Sequence, residues 1–134
     1  MIRGTDKIIG INFAFTTNKK IADIKFYQNS YFPEGVLGDT IYDCDNGWQI
    51  SINRSQTPEN KKWTIIHEFG HTLGLEHPFD DSDDDYYETT NMFSYKGATS
   101  DDSVMTYMYG YTNPYPSFWT ANDYLALTDI WGTS

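Results

Sequence analysis

The stretch HEFGHTLGLEHP, residues 67 to 78, holds every histidine of the chain: His67, His71 and His77. Two histidines four residues apart on a helix lie one turn apart, so their imidazoles can share one ion. The surrounding residues signal that helix. Thr57 suits the N-cap, Pro58 the first helical position and Glu59 the positive end of the helix dipole. Trp63, Ile66, Gly70 and Leu73 recur at three- and four-residue steps as a packing stripe, and His67 and His71 fall on a neighbouring face. A straight helix cannot place His77 on the face of His71. Gly74 is therefore expected to end the helix in a left-handed conformation and turn His77 back towards the ion.

Three neutral imidazoles leave a tetrahedral zinc with one open position, whereas structural zinc sites are closed by four protein ligands, often cysteines. The single cysteine, Cys44, lies in a strand region remote in sequence, and a fourth ligand from it would make the site structural. An open site binds water and lowers its pKa to about 7. Glu68, beside the first histidine, points to a neighbouring face and can reach that water as a base without being a ligand. The bland alternative is an amphipathic helix with incidental histidines. It leaves unexplained why His67, Glu68, His71, Gly74 and His77 all agree with one pattern.

The chain changes character on either side of this segment. Before it, the runs KIIGINFAF (7–15), IADIKFY (21–27), DTIYD (39–43) and WQISI (48–52) are strand-length and separated by turn-rich pieces, which predicts four strands of one sheet. After it, TANDYLALTDIWG (120–132) predicts a C-terminal helix, with Thr120 as N-cap, Asp123 completing a capping box and Gly132 closing it. The stretch between the two helices is longer than a compact domain carries without a functional reason. It opens on an aspartate run at 80–85, interrupted by Ser82, which repels itself too strongly to pack. A solvated loop is one reading. A calcium site is the other, since hard cations prefer clustered carboxylates, although the spacing lacks the pattern of a loop that wraps one ion. Asp39, Asp43 and Asp45 pose the same choice.

A length of 134 residues fits one domain, 1–134, with one core. The formal charge of -10 argues against a polyanion such as nucleic acid as partner. No apolar run approaches the roughly 20 residues that span a bilayer, and the N-terminus lacks the apolar core of a signal peptide, so a soluble chain is expected. One cysteine permits no internal disulfide and leaves the redox compartment open.

The pattern His67-Glu68-x-x-His71-x-x-Gly74-x-x-His77 resembles that of the metzincin clan of zinc endopeptidases. The clan's second mark is a Met-turn, a tight turn beneath the metal, and SVMTY at 103–107 is similar to it, with Met105 in place. Within the clan, Pro78 directly after the third histidine and Tyr107 two residues after the methionine resemble the serralysins; matrix metalloproteinases lack that tyrosine. ANDYLALTDIWG and ADIKFY are similar to a serralysin helix and a clan strand. The resemblance implies an α+β zincin: a small twisted mixed sheet packed on an active-site helix, an irregular Met-turn region and a C-terminal helix. It implies zinc on His67, His71 and His77, Glu68 as general base, Gly74, Pro78 and Met105 shaping the site, polypeptide substrates and an extracellular setting. Tyr107 would be a further metal neighbour that swings away to donate to the oxyanion, against the plainer reading of a tyrosine packing in YMYGY.

Departures from the family bear on function. Serralysins carry calcium-binding repeats of the form G-G-x-G-x-D, and none occurs here. The residues before ADIKFY leave no room for the clan's long N-terminal helix, so a shortened domain is expected, or a segment or inhibitor from another chain covering the bare sheet face. No inhibitory pro-segment is read. Two other functions stay open beside the endopeptidase: a catalytically impaired zinc-binding module serving as an interaction or structural domain, and a gluzincin in which Glu88 displaces His77.

Overall fold

The computed structural model describes residues 2–80 and 98–134. Within them the elements run α1 (Ile2–Thr5), β1 (Ile24–Asn29), β2 (Gly38–Asp43), β3 (Gly47–Asn53), α2 (Pro58–Thr72) and α3 (Ala121–Trp131). The sheet is mixed, in the order β1-β3-β2, with β3 parallel to β1 and antiparallel to β2. The central strand carries the alternation most clearly, since Ile50 and Ile52 are buried. Register then decides what shares their side. Phe26, Ile50 and Thr40 form one row across the sheet, and Gly38 lies opposite Ile52. This face packs on α2, which buries Trp63, Ile66 and Phe69 against it, with Leu73 closing the core at the C-terminal end.

The helix starts as its sequence requires, with the Thr57 hydroxyl accepting from the Asn60 N–H and Pro58 following. It stops at Thr72. Gly74 takes φ +94°, its N–H donates to His71 O, and the Leu75 N–H donates to Gly70 O, the paired bonds of a helix end built on a left-handed residue. Trp131 at the end of α3 donates from its indole to Leu73 O at 2.8 Å and fastens the second helix to the end of the first.

One expectation needs correction. The run 7–15 is not a strand, and among the described residues the sheet has three strands rather than four. Its alternation reflects burial without a ladder: Ile9 is in the core and Phe13 stacks edge-on against Phe69. Its backbone bonds go elsewhere, from Gly10 to Gly132 O and from Phe13 to the Asp6 carboxylate. Ahead of it, residues 2–5 form a single helical turn that no sequence signal marked.

The most heavily used buried carboxylate is Asp123, 3% exposed at the start of α3. It completes the capping box with Thr120, and it also accepts from Ser103 Oγ at 2.6 Å and from the Val104 N–H at 2.9 Å. One side chain thus caps a helix and holds the segment around Met105. Asp123→Ala leaves several buried donors without an acceptor, so urea unfolding of the metal-free protein should show a loss of about 2–4 kcal/mol. An unchanged midpoint would contradict this role.

Candidate metal centre

The three imidazoles converge. His67 and His71 project from one side of α2, and the turn at Gly74 brings His77 across to them. Their nearest ring nitrogens all lie within 4.8 Å of one another, the one such cluster of histidine, cysteine or acidic side chains among the described residues. His67 Nε2 and His77 Nε2 stand 3.2 Å apart. Two nitrogens bound tetrahedrally at zinc distances would be separated by about 3.3 Å.

For two of the rings the backbone fixes which nitrogen is offered. His67 Nδ1 lies 2.9 Å from Val104 O and His71 Nδ1 lies 3.0 Å from Leu75 O. A carbonyl can only accept, so each Nδ1 carries the proton and each Nε2 keeps its lone pair. The Val104 carbonyl also accepts from the indole of Trp63 at 2.9 Å. Burial holds the imidazoles below their ordinary pKa, His67 at about 3 and His77 at about 4, with His71 lowered for the same reason. At neutral pH all are uncharged, the form a metal requires. The donor set therefore fits zinc with a position left open.

Met105 is buried beneath this arrangement. A Cβ on Gly70 would come within 2.6 Å of its sulfur, so the methionine side chain packs in space that Gly70 leaves open. Tyr107 reaches the other side of the cluster, with its hydroxyl 3.1 Å from His77 Nε2. Burial, and after it the charge of Glu68, raises the pKa of that hydroxyl. Pro78 follows His77, and Phe79 beyond it stacks flat on the His77 ring at a centroid separation of 4.9 Å.

Glu68 is buried next to the cluster, and its carboxyl is pushed up to about 7 by burial, with the charge of Asp39 adding to the rise and a bond from Thr40 opposing it. The Thr40 hydroxyl donates to Oε2 at 2.5 Å. Two cavities meet at this point. One, about 360 Å³, runs past Val36, Leu37, Trp63 and Tyr109; the other, about 480 Å³, runs past Asp39, Trp48, His71 and Glu76. Gly38, His67, Glu68 and Tyr107 line both, so a groove passes over the site rather than ending at it.

A sequence model of the matrixin peptidases matches residues 4–110. The chain belongs to the matrixin family. The family implies zinc, and the three-histidine cluster is the place in this chain that could hold it. The chain is 39% identical to matrix metalloproteinase-16 of Homo sapiens over 56 residues, 41% of this chain and 9% of that protein. It is 42% identical to matrix metalloproteinase-15 of Homo sapiens over 53 residues, 39% of this chain and 8% of that protein. The matched stretch thus spans under a tenth of these relatives' own length. No solved structure gives a significant match. The mixed sheet packed on the histidine-bearing helix is the α+β arrangement expected of a matrixin catalytic domain.

Of the residues singled out in the sequence, His67, Glu68, His71, Gly74, His77 and Tyr107 line one cavity, and Pro78 and Met105 line a neighbouring one with Gly74 and His77. Cys44 is exposed and outside the histidine cluster. Asp43 spends its carboxylate within the β2–β3 turn, accepting from Asp45, Asn46 and Gln49, and the backbone bond from Asn46 lowers its pKa. The aspartate run beyond Asp80, and Glu88, lie outside the described residues. Thr40, Trp63, Phe79 and the Val104 carbonyl were not anticipated. Their sequence context marks them only as a strand residue, a core residue, a loop aromatic and a turn.

No helix among the described residues is long and apolar enough to cross a membrane. The metal-free protein should take up one zinc per chain, and His77→Ala should weaken binding by about a hundredfold or more in a chelator competition. Wild-type affinity in that variant would remove His77 from the donor set.

Proposed function

We propose that this chain is a zinc endopeptidase that cleaves extended polypeptides, with His67, His71 and His77 as ligands and Glu68 as general base. The observation that carries the reading is the groove continuing on both sides of the cluster, which suits a substrate that extends past the scissile bond in both directions. Zinc held there would supply a Lewis acid for the peptide carbonyl and an ionised water near neutral pH. Among the described residues β2 is an edge strand, and its outer side would pair with an extended peptide and set the register of that peptide in the groove. The cavity beside Val36, Leu37, Trp63 and Tyr109 is walled by apolar and aromatic groups and would take an apolar substrate side chain.

Glu68 takes the proton of the attacking water and returns it to the leaving amine. Burial suits it to both tasks, because a carboxyl with pKa near 7 gains and loses a proton with comparable ease. Tyr107, within hydrogen-bond distance of the cluster, donates to the oxyanion that develops on the peptide, the role a tyrosine at this place has in the serralysins. Together with Pro78 it gives this matrixin domain a serralysin-like site. The family resemblance supports an action outside the cell on protein substrates.

Zinc-loaded protein incubated with unfolded casein should cleave it, and a chelator should stop the cleavage. Glu68→Ala should abolish turnover with zinc still bound, and Tyr107→Phe should lower kcat about a hundredfold. A zinc-bound wild type that leaves casein intact would instead be a binding module.

A further inference from the structure

We propose that Thr40 is a positioning residue for the Glu68 carboxylate, with Gly38 leaving the space that carboxylate occupies; the inference rests on Glu68 being the base. Gly38 and Thr40 alternate onto the same face of β2, the face that meets α2. The Thr40 hydroxyl lies 2.5 Å from Glu68 Oε2 and 3.1 Å from the Glu68 carbonyl oxygen. A Cβ on Gly38 would stand 3.0 Å from Glu68 Cγ, 3.0 Å from Oε1 and 2.7 Å from Thr64 Cγ2. A side chain at 38 would meet Thr64 first and would also press on the Glu68 side chain. One oxygen is bonded to the strand and the other rests over the strand's single gap.

This asymmetry has a chemical consequence. A threonine hydroxyl has one proton to give, and with Oε2 as its acceptor the lone pairs of Oε1 remain for the proton of water. The proton passes from water to Oε1 and from Oε1 to the leaving amine, and Thr40 exchanges none. Glu68 would otherwise turn about three side-chain torsions beside a wide groove, and a base that wanders out of hydrogen-bond reach of its water does not work. The strand that holds the base is also the sheet edge, so a peptide paired along β2 and the Glu68 carboxylate are aligned by the same backbone.

The test is peptide-cleavage kinetics of the zinc-loaded full chain carrying Thr40→Val, Thr40→Ser or Glu68→Ala. Thr40→Val keeps the shape and loses the hydroxyl; it should lower kcat about tenfold or more with KM and zinc content unchanged. Thr40→Ser restores the hydroxyl and should recover most of that loss. Where valine prevents folding, Thr40→Ala carries the same comparison. A Thr40→Val enzyme with wild-type kcat, a loss carried by KM alone, or a serine variant as impaired as the valine one would overturn the proposal. Glu68→Ala separates the two levels. If it is inactive while Thr40→Val is fully active, only the positioning role fails; if it is active, Glu68 is not the base and both fail.

Discussion

The carbonyl oxygen of Val104 accepts two hydrogen bonds, from the indole of Trp63 and from Nδ1 of His67, and through them the segment around Met105 is locked to one side of α2. A backbone oxygen has two lone pairs, and here both are directed at the histidine-bearing helix. The next residue back in the network is Asp123, whose carboxylate holds the Val104 N–H and the Ser103 hydroxyl while capping α3. The C-terminal helix is thus joined to a histidine ring through two consecutive links. The other ring with a backbone partner, His71, depends in the same way on Leu75 O, which the left-handed Gly74 places there. Site geometry is set by peptide groups, which do not titrate and have few alternative positions.

Burial acts on the histidines and on Glu68 in opposite senses with one physical result. Removing water disfavours the charged form of each group, so the imidazoles stay neutral and the carboxyl moves towards neutral pH. Neutral imidazoles are ligands; a carboxyl that titrates near 7 is an acid and a base. A cluster this buried would be of little use if substrate could not reach it. The two cavities that meet at Glu68 open it on both sides, while the Nδ1 bond of His67 stays buried.

Much of the site was legible because it is local. His67, Glu68, His71 and Gly74 are tied by helical periodicity, and the cap chemistry of Thr57 and Pro58 and of Thr120 and Asp123 reads directly from neighbours in the chain. Met105 and Tyr107 were reached through resemblance, since nothing in their spacing alone says what they lie against. Contacts between distant segments were not legible. Thr40 reaches Glu68 across a sheet whose register no short stretch encodes, and Trp63 looks like one more core residue until its indole finds Val104. The run 7–15 misled for a physical reason. Alternation records which side of a segment is buried, and here Ile9 is buried in the core and Phe13 partly buried against Phe69 although the run forms no strand.

The central claim is that three ring nitrogens, aimed by the Val104 and Leu75 carbonyls and by the turn into His77, form an open site. X-ray absorption at the zinc edge of the loaded protein tests it most directly. The expected spectrum has three imidazole nitrogens at about 2.0–2.1 Å with only oxygen completing the shell. A sulfur scatterer at about 2.3 Å, which only Cys44 or a methionine could supply, or fewer than three imidazoles, would contradict it.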